Sequence, residues 1–167
     1  MWVLSLSAGP GACSGTGTCT VTMNAAKSVT ATFNLVLPNV TVTLVPDSTS
    51  VSLGGTLGDT VKLTNNTFFS QAFQYWTYMT LPNGSWYPVT GELFGPYTVT
   101  LSAGQTGSAY LTYGIPAIAP LGTYTYYGNV GPYPVVWDSD SFTFTVTSTA
   151  SIGTRQNWEL LENNLTK

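Results

Sequence analysis

The chain has no histidine, and only four of its 167 residues are lysine or arginine. Without histidine, with two cysteines and with seven carboxylates spread thinly along the sequence, the usual nucleophile-plus-base arrangements cannot be assembled, so catalysis is not expected. A net charge of −3 with so few cations cannot supply the basic stripe that neutralises phosphates, which argues against nucleic acid and against anionic membrane surfaces. Charged residues make up 7% of the sequence, far below the ~25% of an average globular protein. Surface polarity must therefore come from hydroxyls and amides. No apolar run approaches the ~18 residues of a spanning helix, and the opening MWVLSLSAGPGA lacks the basic start of a signal peptide. Membrane insertion is not expected, and residues 1–7 read as a truncated strand.

What is present favours strands. Thr, Val, Tyr, Phe and Trp suit a pleated, half-buried surface, whereas the helix formers Glu, Lys, Arg and Gln are scarce until the C-terminal end. Cys13 and Cys19 stand as C-x5-C in CSGTGTC. Their even number and local spacing between strand-like stretches predict a disulfide and hence an oxidising, extracellular or cell-surface setting, the alternative being two reduced thiols. A structural zinc site is excluded, since four favoured ligands are not available. Two alternating runs follow, at 18–24 and 28–35, with Val21, Met23, Val29, Ala31 and Phe33 on the apolar parity. They predict a β-hairpin in residues 1–36, a segment too small to be stable alone.

Residues 39–146 read as short strands at regular spacing: 40–45, 49–53, 60–64, 71–81, 97–101, 108–113, 122–130 and 141–147. Turn signals separate them, among them Gly54-Gly55, Asn65-Asn66, Pro82-Asn83-Gly84 and Ala103-Gly104. Seven to eight strands in this stretch predict an all-β chain whose residues 37–148 form an immunoglobulin-like antiparallel β-sandwich, with the N-terminal hairpin as an addition. The Cys-Trp-Cys core of antibody domains is absent. Residues 149–167 read as a tail or linker in which Trp158, Leu161 and Leu165 could line one face of a short helix.

Two resemblances follow from particular residues. GACSGTGTCTVTMNAAKSVTATF, about residues 11–33, resembles the C-terminal end of the internalin-B-type repeat of bacterial surface proteins, which implies a remnant of a β-rich stalk module. Ser52-Leu53-Gly54-Gly55-Thr56, Val61-Lys62-Leu63-Thr64-Asn65-Asn66-Thr67, Ile115-Pro116 and Ala119-Pro120-Leu121-Gly122-Thr123-Tyr124 resemble bacterial immunoglobulin-like domains of the adhesion or spacer type, as does the closing SFTFTV. Leu53 departs from that pattern, which has proline there. The resemblance implies a spacer or appendage and is nearly silent on ligand.

Two clusters are candidate sites. Asp138 and Asp140, two apart in VVWDSDSF, share one side of a strand and could act as an acid/base pair or bind calcium; otherwise they cap backbone amides in a turn. No other cofactor is expected. In QAFQYWTYMTL, Phe73, Tyr75, Thr77 and Met79 take one face and Trp76 and Tyr78 the other. Trp76, Tyr78, Trp86 and Tyr87 therefore form a candidate ligand surface for a glycan or a surface protein, unless Trp76 packs under the Trp86 loop or against a neighbouring domain. Asn-x-Ser/Thr triplets stand at Asn39, Asn65, Asn83 and Asn164. The leading expectation is a non-catalytic structural or adhesive module of a larger bacterial surface or secreted protein, with neighbouring domains or copies of itself as partners. A carbohydrate- or protein-binding module is the second, and a filament subunit joined by strand exchange the third, since Lys gatekeepers on strand edges are scarce.

Overall fold

The computed structural model describes residues 2–7, 13–15, 20, 30–35, 37–148 and 158–163, and every regular element among them is a β-strand. The chain divides into two compact units, Met1–Leu37 and Pro38–Lys167.

In the first unit β1 (Trp2–Ser7), β2 (Cys13–Gly15) and β3 (Thr30–Leu35) form an antiparallel sheet in the order β2-β1-β3. The register sets Trp2, Leu4 and Leu6 opposite Leu35, Phe33 and Ala31. Among the described residues β3 pairs with the opening strand β1. The run 18–24, apart from Thr20, lies outside the described residues.

The second unit is a sandwich. Its strands are β4 (Val40–Pro46), β5 (Ser50–Ser52), β6 (Thr56–Asn65), β7 (Gln71–Thr80), β8 (Trp86–Tyr87), β9 (Phe94–Leu101), β10 (Thr106–Gly114), β11 (Gly122–Gly131), β12 (Asp138–Thr147) and β13 (Glu159–Asn163). One sheet runs β13-β10-β6-β4; the other runs β5-β12-β11-β7-β8, with β9 also on β7. All pairings are antiparallel except β5 with β12. The first strand is thus split: β4 lies in one sheet, and after the Pro46-Asp47 corner β5 joins the other.

Alternation builds the core between the sheets. Val40, Val42 and Leu44 point inward from β4, and Leu57, Val61 and Leu63 from β6. Phe73, Tyr75 and Met79 do so from β7, Leu111 and Tyr113 from β10, Tyr124, Tyr126 and Val130 from β11, and Phe144 and Val146 from β12. The Tyr124 hydroxyl donates to the Pro120 carbonyl at 2.7 Å. A tyrosine near the start of this strand, bonded a few residues upstream, is a hallmark of immunoglobulin-like sandwiches.

At the C-terminal end the structure differs from the short helix considered for this segment. Glu159–Asn163 is a strand on the β10 edge, with a register shift between Thr112 and Tyr113, not a helix. Trp158 meets Tyr124 and Phe144 at 5.7 and 6.3 Å. An available sheet edge and an aromatic seat outweigh the weak helical preference of so short a segment. Among the described residues no helix is long and apolar enough to cross a membrane.

Candidate functional site

The outer face of the β7–β11 pair carries a groove. Register places Tyr127 opposite Tyr78 and Asn129 opposite Trp76, so the outward parity of both strands supplies the floor. Beyond β7 the chain turns at Pro82-Asn83-Gly84 and returns as β8, which brings Trp86 beside that floor. The Trp86 ring lies 5.2 Å from Tyr127 at 44° and 6.3 Å from Tyr78 at 81°. Pro88, Val89 and Gly91 continue the wall, and the groove encloses about 430 Å³. Trp86 is 56% exposed and Val89 90%. Asn129 donates through Nδ2 to the Trp76 carbonyl at 3.4 Å. Glu92, the carboxylate of this loop, buries Oε1 without a partner and is not among the lining residues.

The four aromatic candidates separate. Tyr78 and Trp86 line the groove, and Tyr87 and Trp76 do not. Tyr87 pairs with Met79 and packs against the core. Trp76 is fully buried, the packed alternative, although parity does place it on the outer face and the cover is not the Trp86 loop. The 132–137 loop folds back over that face, pinned by the Tyr133 amide donating to Gln74 Oε1 at 2.9 Å. Tyr133 then meets the Trp76 ring edge-on at 5.3 Å. From the other side Gly95 crosses so closely that a Cβ would stand 2.6 Å from the Tyr75 carbonyl oxygen and 3.1 Å from Trp76 Cα. Only a glycine fits this approach, and its φ of +93° favours glycine as well. Tyr127 and Asn129 enter the groove unforeseen; counting outward from the inward pair Tyr124 and Tyr126 would have found both.

Asp138 and Asp140 do lie on one side of β12, but their carboxylates face β4. Asp138 Oδ2 accepts from the Val42 amide at 2.9 Å, and Asp140 Oδ2 from the Leu44 amide at 2.8 Å. Asp140 Oδ1 accepts from the Ser141 amide. The pair therefore caps amides on the open edge of β4, joining the two sheets where no ladder does. Among the described residues no three His, Cys, Asp or Glu side chains gather as a metal group. Cys13 sits in β2, and Cys19 lies outside the described residues. Of the triplets, Asn65 is fully buried: its Nδ2 donates to the Phe69, Leu101 and Ser102 carbonyls and its Oδ1 accepts from Thr67. Asn164 is outside the described residues.

A second polar cluster was missed by the sequence reading and lies in the core. Asp59 continues the inward series of Leu57, Val61 and Leu63 and is fully buried. Neither of its oxygens has a hydrogen-bond partner. Burial lifts its pKa from 3.8 to about 7; the Tyr113 hydroxyl opposes the rise in part and Asp47 adds to it. Burial likewise pushes the Tyr75, Tyr113 and Tyr126 hydroxyls upward, and Tyr113 and Tyr126 meet oxygen to oxygen at 2.5 Å. This cluster has no opening among the lining residues of the groove, so its chemistry is that of the core.

The sandwich and its tyrosine corner define an immunoglobulin-like β-sandwich. Comparison with known proteins agrees on the fold and stops there. No family model and no curated protein matches the sequence, which leaves the internalin-B-type resemblance of residues 11–33 without support. Among solved structures, the chain is similar to the CARDB domain of a Pyrococcus furiosus protein at TM-score 0.50 and 16% identity, over 68% of this chain and 98% of that one. It is also similar to the Pseudomonas fluorescens alkylpurine DNA glycosylase AlkC at TM-score 0.55 and 13% identity, over 66% of this chain. The match spans 31% of the glycosylase chain, and at these identities the likeness is one of fold alone.

Proposed function

We propose that the chain is a non-catalytic structural module of a larger extracellular or cell-surface protein, holding or presenting neighbouring domains. The observation that carries this reading is that the β4 edge of the four-stranded sheet is capped from within: Asp138 accepts from the Val42 amide and Asp140 from the Leu44 amide. An edge whose amides are taken up in this way is a poorer template for a strand from another copy, which favours a spacer over a filament joined by strand exchange at β4. The scarcity of charge and the local cysteine pair support an extracellular setting. The absence of histidine from the sequence supports a role without acid–base catalysis, and no cofactor is proposed.

Light scattering of the purified chain over a concentration series tests the reading. A constant monomer mass is expected. Ordered high-mass species that grow with concentration would overturn it in favour of the filament.

A further inference from the structure

We infer that the outer groove formed by Tyr78, Trp86, Tyr127 and Asn129 is a binding site for a neutral sugar unit of a glycan. This goes beyond the structural role, which would stand without it.

The shape suits such a ligand. At about 430 Å³ the groove falls within the ~300–1,000 Å³ of small-molecule sites. The chemistry suits it too. Trp86 and Tyr127 present ring faces inclined to one another, with more than half of Trp86 open to solvent. A pyranose is apolar on its C–H faces and polar around its rim. Rings take the faces at low cost in side-chain entropy, because an aromatic side chain has few torsions to fix.

The rim needs hydrogen-bonding groups, and Asn129, which lines the groove, offers its Oδ1 as an acceptor. Asn129 is 7% exposed, and its Nδ2 is directed at the Trp76 carbonyl at 3.4 Å. No charged side chain lines the groove, and Glu92 turns one oxygen into the fold instead. An uncharged lining offers nothing to compensate an ionic ligand and so selects a neutral one. A purely apolar ligand would offer the Asn129 amide no hydrogen bond.

The test titrates the intact chain with cellohexaose, xylohexaose, mannohexaose and chitohexaose, read by tryptophan fluorescence and by amide chemical-shift mapping. At least one should bind with Kd of ~1 mM or tighter, with shifts confined to β7, β8, β11 and residues 88–91. Trp86→Ala should weaken that binding at least ~10-fold and Trp86→Phe should retain most of it, as expected for an aromatic anchor. Both variants should keep the parent's unfolding midpoint. If Trp86→Ala destabilises the fold, the shift map of the parent decides alone. Binding of none of the four sugars, shifts mapping elsewhere, undiminished binding by a folded Trp86→Ala, or capture of an apolar peptide in place of any sugar would each overturn the inference.

Discussion

Tyr126 and Tyr127 are neighbours in sequence and belong to two different environments. Tyr126 is sealed between the sheets with Tyr75, Tyr113 and Asp59, while Tyr127 forms the floor of an open groove with Tyr78 and Trp86. The residue types are nearly the same and so are the strands, β7 and β11. The difference is parity alone: successive side chains on a strand point to opposite faces. Inside, the hydroxyls must find each other or go unpaired. Outside, the same rings keep solvent access and can meet a ligand.

The sharpest way to break this comparison is to truncate each member in turn. Tyr126→Ala removes a buried ring and opens a cavity, and should cost ~3–5 kcal/mol in urea unfolding. Tyr127→Ala should cost under ~1 kcal/mol, the usual range for a partly exposed position. Comparable losses at the two sites would mean that the outer ring is as structural as the inner one.

Asp59 gives the inner cluster a pH signature that the groove lacks. Its pKa in the fold, about 7, lies above the 3.8 of the free side chain, so the folded state holds the proton more tightly. The resulting stabilisation is full below about pH 4 and is lost as the pH rises through about 7. The difference reaches up to ~4 kcal/mol, at 1.36 kcal/mol per pKa unit. Urea midpoints should therefore fall between pH 4 and pH 8, and Asp59→Asn should flatten that slope. A slope unchanged in the variant would place the titrating group elsewhere.

The carboxylates of β12 should show an intermediate effect. Asp138→Ala or Asp140→Ala strands an amide of β4 and should cost ~1.5–3 kcal/mol each, as for hydrogen bonds to charged acceptors. Such a loss, unaffected by added calcium, is expected if the pair works as an edge cap. Stability that rises with calcium in the parent and not in the variants would restore a metal role. The smallest effect is expected at Trp86, where replacement by alanine should leave the midpoint within ~0.5 kcal/mol.

Much of the sandwich was legible from alternation. The runs predicted at 40–45, 71–81, 108–113 and 122–130 correspond to β4, β7, β10 and β11, with bounds shifted by a few residues. β6 starts earlier than its predicted run because Gly58 and Asp59 disguise the pattern. The Gly58 position is needed there, since a Cβ would run into the Tyr110 hydroxyl and the Asp47 carboxylate, which bond to each other. β8 is only two residues long and has no periodicity to detect. β13 lies in a segment whose composition differs from the rest, and its strand state depends on the edge it joins.

The candidate site was half legible. Tyr78 and Trp86 stood out as aromatic residues near a turn, while exposure and packing stayed open for Trp76 because parity gives a face but not what covers it. The cover comes from Tyr133, far along the chain, and from Gly95. The partners of Asp138 and Asp140 lie 96 residues away in sequence, and a two-residue spacing cannot tell a calcium ligand from an amide cap.

The sequence by itself determined the all-β class, the inward and outward parity of the longer sandwich strands, and the absence of histidine and scarcity of cationic side chains, because these follow from residue types and a period of two. Only the tertiary structure decided which outward residues stay open. That choice depends on loops folding across a face and on strands meeting from distant parts of the chain, so burial, edge sealing and the groove are properties of pairs of segments and not of either one.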